Sequence, residues 1–220
     1  MDQAHAPETG WRGSREGWLE IGYKALIESG VDAVKILPLA RQLGLSRTSF
    51  YWFFTDREDL LAALLEGWEA RTTRPMIAAT KQYAETRAEA MLNVLSCYLS
   101  SDFDQKLEFA VRSWALQSAE VATRIETADR IRLEALEEML RKWGYEPMEA
   151  DVRARTIYLV QIGYISMQSK ETLETRLKRI PAYVETYTGA KPTANEMARF
   201  TARLMQLQDA DSQNGVRRPR

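Results

Sequence analysis

Residues 39–54, LARQLGLSRTSFYWFF, pass through a glycine four positions after Ala40 and end in a run of rings, Phe50 to Phe54. Gly44 reads as the left-handed residue that ends one helix, and Ser46 as the side-chain cap that opens the next. A helix from Ser46 to about Phe53 puts Phe50, Phe53 and Phe54 at i, i+3 and i+4, facing inward with Leu43 and Leu45 across the turn. The opposite face presents Arg47, Thr48, Tyr51 and Trp52, for which a small domain offers no apolar partner.

Outward from that stretch the periodicity stays helical. Trp18, Ile21, Ala25 and Leu26 share one face of a first helix that Ser14 caps and Gly30 closes, with Glu16, Glu20, Lys24 and Glu28 on the other face. Pro38 is tolerated only in a first turn, so the second helix covers about 34–43. Thr55 and Glu58 form a capping box for a fourth helix with Leu60, Leu61, Leu64, Leu65 and Trp68 as its apolar stripe, continuing with a kink past Pro75. Further helical windows fall at about 86–100, 105–117, 120–143, 148–168, 171–187 and 193–208. The expected fold is all-α: a disordered tail (1–13), three short helices around a small core (14–54), a larger helical bundle (55–208) and a second disordered tail (209–220).

Composition excludes several function classes. The chain has 220 residues, 45% of them apolar, with a formal charge of −1, so any surface for nucleic acid must be local. The single cysteine, Cys97, rules out an internal disulfide and reads as a buried small hydrophobe. The single histidine, His5, leaves no Glu-x-x-His or His-x-x-x-His arrangement, so neither metal nor cofactor nor catalysis is expected. No run of 18 apolar residues and no signal-peptide pattern occurs, so the cytoplasm is the expected location and no membrane partner is expected.

A short helix held across another by a glycine-containing turn is the helix-turn-helix arrangement, whose second helix enters the major groove with its early residues at base edges. Arg47 and Thr48 hold those early positions, and residues 33–57 carry a net charge of +3. Residues 14–60 as a whole sum to −1, which predicts modest, salt-sensitive non-specific affinity.

The sequence resembles the TetR family of transcriptional regulators through ALIESGVDAVKILPLARQLGLSRTSFYWFFTDREDLLAALLE, and more weakly through VRSWALQSAEVATRIETADRIRLEALEEMLRKWGYEP. Gly44, Leu45, Ser46, Arg47, Thr48, Ser49, Phe50, Tyr51 and Phe54 match the family pattern of glycine, aliphatic, serine, basic, small, hydroxyl, apolar, tyrosine and phenylalanine. The resemblance implies that Arg47, Thr48 and Tyr51 contact DNA and Arg57 phosphate; Ser46 and Ser49 lie in the same DNA-binding motif, the Lys35 amine can serve a phosphate, and Trp52 shares the outward face. It also implies that 14–54 is an N-terminal three-helix helix-turn-helix DNA-binding domain and 55–208 a larger helical effector-binding and dimerisation domain, with an operator in double-stranded DNA, a homodimer, a small effector and, for most members, repression. The chain departs from the family at Val34 and Lys35, where a capping Thr or Ser is common, at Thr48, where Gly is common, and at Trp52, where a basic residue is common. Its operator should therefore differ.

In the larger domain, aromatic and methionine positions read first as helical core. Together they make an apolar or aromatic effector the expectation, with Tyr98, Phe109, Trp114, Met139 and Trp143 as candidate walls and Arg112 and Gln117 as orienting groups. Two late stripes read as the dimer surface: Ile157, Val160, Tyr164 and Met167 on one helix, Met197, Phe200, Leu204 and Leu207 on another. Against this stands the alternative that both stripes pack inside one chain. A helical small-molecule carrier without DNA binding is the rival function, and an activator of the same family a third.

Overall fold

A computed structural model of the protein describes residues 13–216, and among these every regular element is helical. The chain divides into two compact units, the first ending at Gly67 and the second beginning at Trp68. That division lies inside a helix and not at the expected 54/55 boundary.

In the first unit, α1 (Arg15–Ser29) opens on Ser14, whose Oγ accepts the Gly17 N–H at 3.0 Å, and ends at Gly30. A single 3-10 turn, Val31–Ala33, precedes α2 (Ile36–Leu43). This helix starts later than residue 34 because its cap is Lys35, which has no side-chain acceptor for the first N–H groups. Gly44 closes it at φ 66°, where a Cβ would be strained; its N–H bonds to Arg41 O at 3.2 Å and that of Leu45 to Ala40 O at 2.9 Å.

The third helix, α3 (Arg47–Phe50), is a single turn, shorter than the expected 46–53, since Tyr51 already caps it and the following rings form a turn. Phe50 and Phe54 are buried as predicted, while Phe53, Leu43 and Leu45 are only half-buried. Trp18 meets Phe50 edge-on at 5.2 Å and Phe54 stacks on it at 5.4 Å, so the rings of the opening stretch form the core of this unit. The reciprocal cap of α4 (Arg57–Thr80) is made by Asp56 and Asp59, with Asp59 N–H to Asp56 Oδ1 and Thr55 N–H to Asp59 Oδ2 both at 2.9 Å, and not by Thr55 and Glu58. Gly67 is required by a close approach: a Cβ there would stand 1.5 Å from the Tyr23 hydroxyl of α1.

The second unit takes the rest of α4 and adds α5 (Arg87–Leu99), α6 (Gln105–Ala115), α7 (Ala119–Lys142), α8 (Pro147–Ser166), α9 (Leu173–Thr188) and α10 (Ala194–Val216). These bounds follow the predicted windows except at the end, where α10 runs on through residues assigned to the 209–220 tail. No proline interrupts it and its first glycine is Gly215. Residues 1–12 and 217–220, the rest of the expected tails, lie outside the described residues. Helix α7 packs on α6 and α8, and α5 on α9 and α10, around Met91, Tyr98, Leu136, Tyr158 and Leu204. The helix α4 continues through Pro75, whose ring removes the N–H that would bond Arg71 O; that carbonyl accepts instead the N–H of Asp104, the cap of α6, at 3.1 Å. Among the described residues no helix is long and apolar enough to cross a membrane, and no group of His, Cys, Asp and Glu is placed to hold a metal.

At the centre of this unit is a buried ion pair. Arg132 of α7 and Glu108 of α6 are both fully buried and meet through two parallel bonds, 2.8 and 3.1 Å. Trp68 Nε1 donates to the same carboxylate at 2.6 Å, Arg112 Nε at 2.8 Å, and Arg132 reaches Thr72 and Thr73 of α4 and Tyr158 of α8. Burial is the largest single influence and would raise the Glu108 carboxyl, but the charge and hydrogen bonds of Arg132, with the charge of Arg112 and the Trp68 hydrogen bond, together outweigh it and hold the group below its usual value. A carboxylate depressed in the folded state stabilises fully above its unfolded value of about 4.3 and loses that contribution as pH falls through the folded value. Urea unfolding at pH 7 should therefore give Arg132→Met about 3–5 kcal/mol less stability than wild type, a deficit that shrinks below about pH 4 as Glu108 protonates. An equal deficit at pH 7 and pH 3 would contradict this account.

Candidate functional site

The one-turn helix α3 is held by Ser46, whose Oγ accepts the Ser49 N–H at 3.3 Å and lies 3.1 Å from Ser49 Oγ. Ser49, expected among the DNA-binding residues, is buried and serves the turn instead of facing outward. Arg47 and Thr48 are exposed, and so are two large rings, Tyr51 at 47% and Trp52 at 62%. An exposed tryptophan beside an exposed tyrosine is unusual for a monomer surface and marks a surface that meets something. Arg47 Nη2 donates to Tyr51 Oη at 3.0 Å, and its guanidinium stands 5.8 Å from the ring centroid, so the pair holds one shared orientation. Lys35 is exposed at the start of α2, where no side chain caps the first N–H groups, so amine and amides are open to a phosphate oxygen. Beside it Leu37, 49% exposed, was not singled out in the sequence; its place two residues after a cap without a side-chain acceptor was the available signal.

Arg57 has a different duty from the expected one. Its Nε donates to Val34 O at 2.6 Å, its Nη2 to Val31 O at 2.9 Å, and its Nη1 pairs with Glu58 at 3.1 Å. The side chain ties the 3-10 turn before α2 to the first turn of α4, which fixes where α2, and through Gly44 also α3, is presented.

The residues read as an effector pocket do not converge. Tyr98, Trp114 and Met139 are buried in packing, Phe109 and Trp143 lie half-buried against the core, and Gln117 is exposed beyond the end of α6. Arg112 is engaged by Glu108, Asp129 and Tyr158. The open space lies elsewhere: a cleft of about 680 Å³ along α6, α7 and α8, floored by Ala115, Ala122, Ile125 and Leu133, with Arg112 as the only one of the candidates on its wall. A second cavity, about 270 Å³, lies between α4 and α7 beside Thr73, Arg74, Thr127 and Ile131. Cys97 is buried, and burial, with Asp102 adding to it, pushes its thiol up to about 12.

Most of the residues read as a dimer stripe face inward. Ile157, Phe200 and Leu204 are buried, Val160, Tyr164, Met197 and Leu207 half-buried, and only Met167 is open, at 82%. The apolar face that α8 leaves exposed shares only Met167 with that stripe and is completed by Met148, Val152 and Leu159, with Met205 exposed on α10.

Residues 19–64 match the family model of the bacterial regulatory proteins, tetR family. No curated protein matches the chain. Among solved structures, its fold is similar to that of a transcriptional regulator of the TerR/AcrR family from Aquifex aeolicus VF5, with 17% identity over 80% of this chain and 96% of that one and a TM-score of 0.57. It is similar as well to FadR from Bacillus subtilis, in complex with stearoyl-CoA, with 17% identity over 80% and 98% and a TM-score of 0.58. The same holds for SmeT, the repressor of the Stenotrophomonas maltophilia efflux pump SmeDEF, with 19% identity over 84% and 93% and a TM-score of 0.56. Residues 19–64 thus carry the match to the tetR-family model, and the chain as a whole shares the fold of these solved regulators.

The two arginines of the first unit should separate in a stability measurement. Arg57→Ala leaves two part-buried carbonyls without a charged donor and should lower unfolding free energy by about 1.5–3 kcal/mol. Arg47→Ala, on an exposed helix, should change it by less than about 0.5 kcal/mol. Equal effects by chemical denaturation would show that Arg57 does not anchor the turn.

Proposed function

We propose that the protein is a dimeric repressor that reads a near-palindromic operator through α3 and leaves it when a small apolar or aromatic molecule binds the larger unit. The observation that carries this reading is the outward set Arg47, Thr48, Tyr51 and Trp52 on a capped helix, with Lys35 and an uncapped helix start beside it. A carrier would have no use for four such side chains on a solvent face. The geometry suits base edges for Arg47 and Thr48, a phosphate for Lys35, and sugar or thymine methyl surface for the rings. The reading is non-catalytic and places the protein in the cytoplasm, with its DNA. One recognition turn reads too few base pairs alone, so two copies with heads about 34–36 Å apart are needed.

Release by a small molecule is supported by the two cavities of the second unit, and by the fold's occurrence in a regulator in complex with stearoyl-CoA and in an efflux-pump repressor. Helix α4 contributes residues to both units and lines the smaller cavity through Glu69, Thr73 and Arg74. It is the element through which occupancy would reach the operator. The dimer surface in this reading is the open face of α8 with Met205 of α10.

Gel shifts and footprinting on genomic fragments test the first part. Arg47→Ala should weaken the best site by about 1–3 kcal/mol and relax one operator position, while Lys35→Ala should weaken all sequences alike. Unchanged affinity in the Arg47→Ala, Thr48→Ala double variant would assign recognition elsewhere.

For the dimer, Leu159→Glu should convert the protein to a monomer of unchanged helicity in sedimentation, because Leu159 is 62% exposed and supports no core. Phe200→Glu should unfold the second unit instead, since it places a charge where the ring is buried. A Leu159→Glu dimer as tight as wild type would rule this face out.

A further inference from the structure

In the second unit a half-buried cation without a salt bridge lies next to a buried amide donor with no hydrogen-bond partner. Arg176 of α9 lies half-buried with its guanidinium 4.7 Å above the Tyr164 ring, and among the described residues it makes no salt bridge. The carboxylate in its field, Glu171, is held by Arg179 through Oε1 at 2.6 Å, and its buried Oε2 has no hydrogen-bond partner. Across from it Gln161 of α8 is only 5% exposed, and its Nε2 has no hydrogen-bond partner. Both residues line the same small gap between α5, α8 and α9, about 20 Å³, together with Tyr164 and Tyr183, whose hydroxyls meet at 2.9 Å. The other wall is aliphatic, Leu95, Val160 and Ile180.

Each part bears on what fits. A buried amide N–H without an acceptor and a half-buried guanidinium that feels Glu171 but makes no salt bridge are each under-compensated, and one planar group with two acceptor oxygens answers both. The gap as it stands has room for about one water molecule. A larger ligand must part α9 from α5. Pro181 lies inside α9 and removes the N–H that would hold the Leu177 carbonyl, so α9 is weakest next to the gap.

We propose that this gap is the head-group site for a small organic carboxylate with an aliphatic body: the carboxylate bridges Arg176 and Gln161 Nε2, and the chain follows the aliphatic wall. It lies apart from the clefts along α7 and gives the effector reading a head-group chemistry. Its binding arm does not depend on that reading.

The test is calorimetric titration of the full-length protein with hexanoate and with its neutral counterpart hexanamide, inorganic phosphate serving as a competitor. Hexanoate should bind at least about tenfold more tightly than hexanamide, as expected for charge-assisted bonds. Arg176→Met should remove that preference while hexanamide affinity and helicity stay as in wild type, and Gln161→Leu should reduce it. Equal affinity for the two compounds, no binding of either at millimolar concentration, a preference that survives Arg176→Met, or full displacement by phosphate would each overturn the proposal. A gel shift run with the same hexanoate separates the two readings. Binding that obeys these rules and leaves operator affinity unchanged sinks the effector role and leaves the carboxylate site standing.

Discussion

Arg132 and Glu108 are the constraint on which the second unit depends. Moving two ions of this size out of water costs several kcal/mol each, and their attraction offsets this only when the remaining donors and acceptors are met. Here they are: the carboxylate takes bonds from Arg132, Arg112 and Trp68, and the guanidinium gives to Glu108, Thr72, Thr73 and Tyr158. Four helices, α4, α6, α7 and α8, therefore meet at one register. An apolar core of leucine and methionine would tolerate a helix sliding by part of a turn. A charge network would not, because a shift that broke one bond would leave a buried ion uncompensated.

This bears on α4. Within the second unit the helix is held at Trp68, Thr72 and Thr73 by the network, and at Arg71 by the carbonyl that Pro75 leaves free for Asp104. Thr73 also lines the smaller cavity. A ligand that displaced Thr73 would act on the hydrogen bonds of Arg132, and discrete rearrangement of such bonds is the kind of event that gives a helix two positions instead of a continuum. Arg57 gives the same helix a charged anchor inside the first unit, on Val31 and Val34. One helix thus carries a polar tether in each unit.

Much of this was legible in the chain. Helix existence and order followed from apolar spacing, and the turn at Gly44, the cap at Ser46 and the outward face of Arg47, Thr48, Tyr51 and Trp52 were read correctly because local chemistry fixes them. What was missed depends on contacts distant in sequence. Nothing near Arg57 distinguishes a residue that binds phosphate from one that bonds carbonyls 23 and 26 positions away. Ser49 sits in a motif whose serines look alike, yet it stands four residues before Phe53, on the inward side, and is buried there. The charged centre was equally hidden. Glu108 and Arg132 lie on helices full of solvated charges, and Arg112 was read as a ligand group when its partners are Glu108, Asp129 and Tyr158.

The late helices show the limit most clearly, because α8 is apolar on two faces. One stripe, Ala150, Ala154, Ile157, Tyr158, Gln161 and Ile165, is buried within the chain; the other, Met148, Val152, Leu159 and Met167, lies open. Each alone has helical spacing, so periodicity cannot say which faces the core, and the sequence reading chose a set that mixes the two. The excess itself was informative. A surface helix needs one apolar stripe to join its own core, and a second that remains exposed is a face open to another surface. Which face stays open is settled only after the chain has packed, so only the packed structure identifies that remainder.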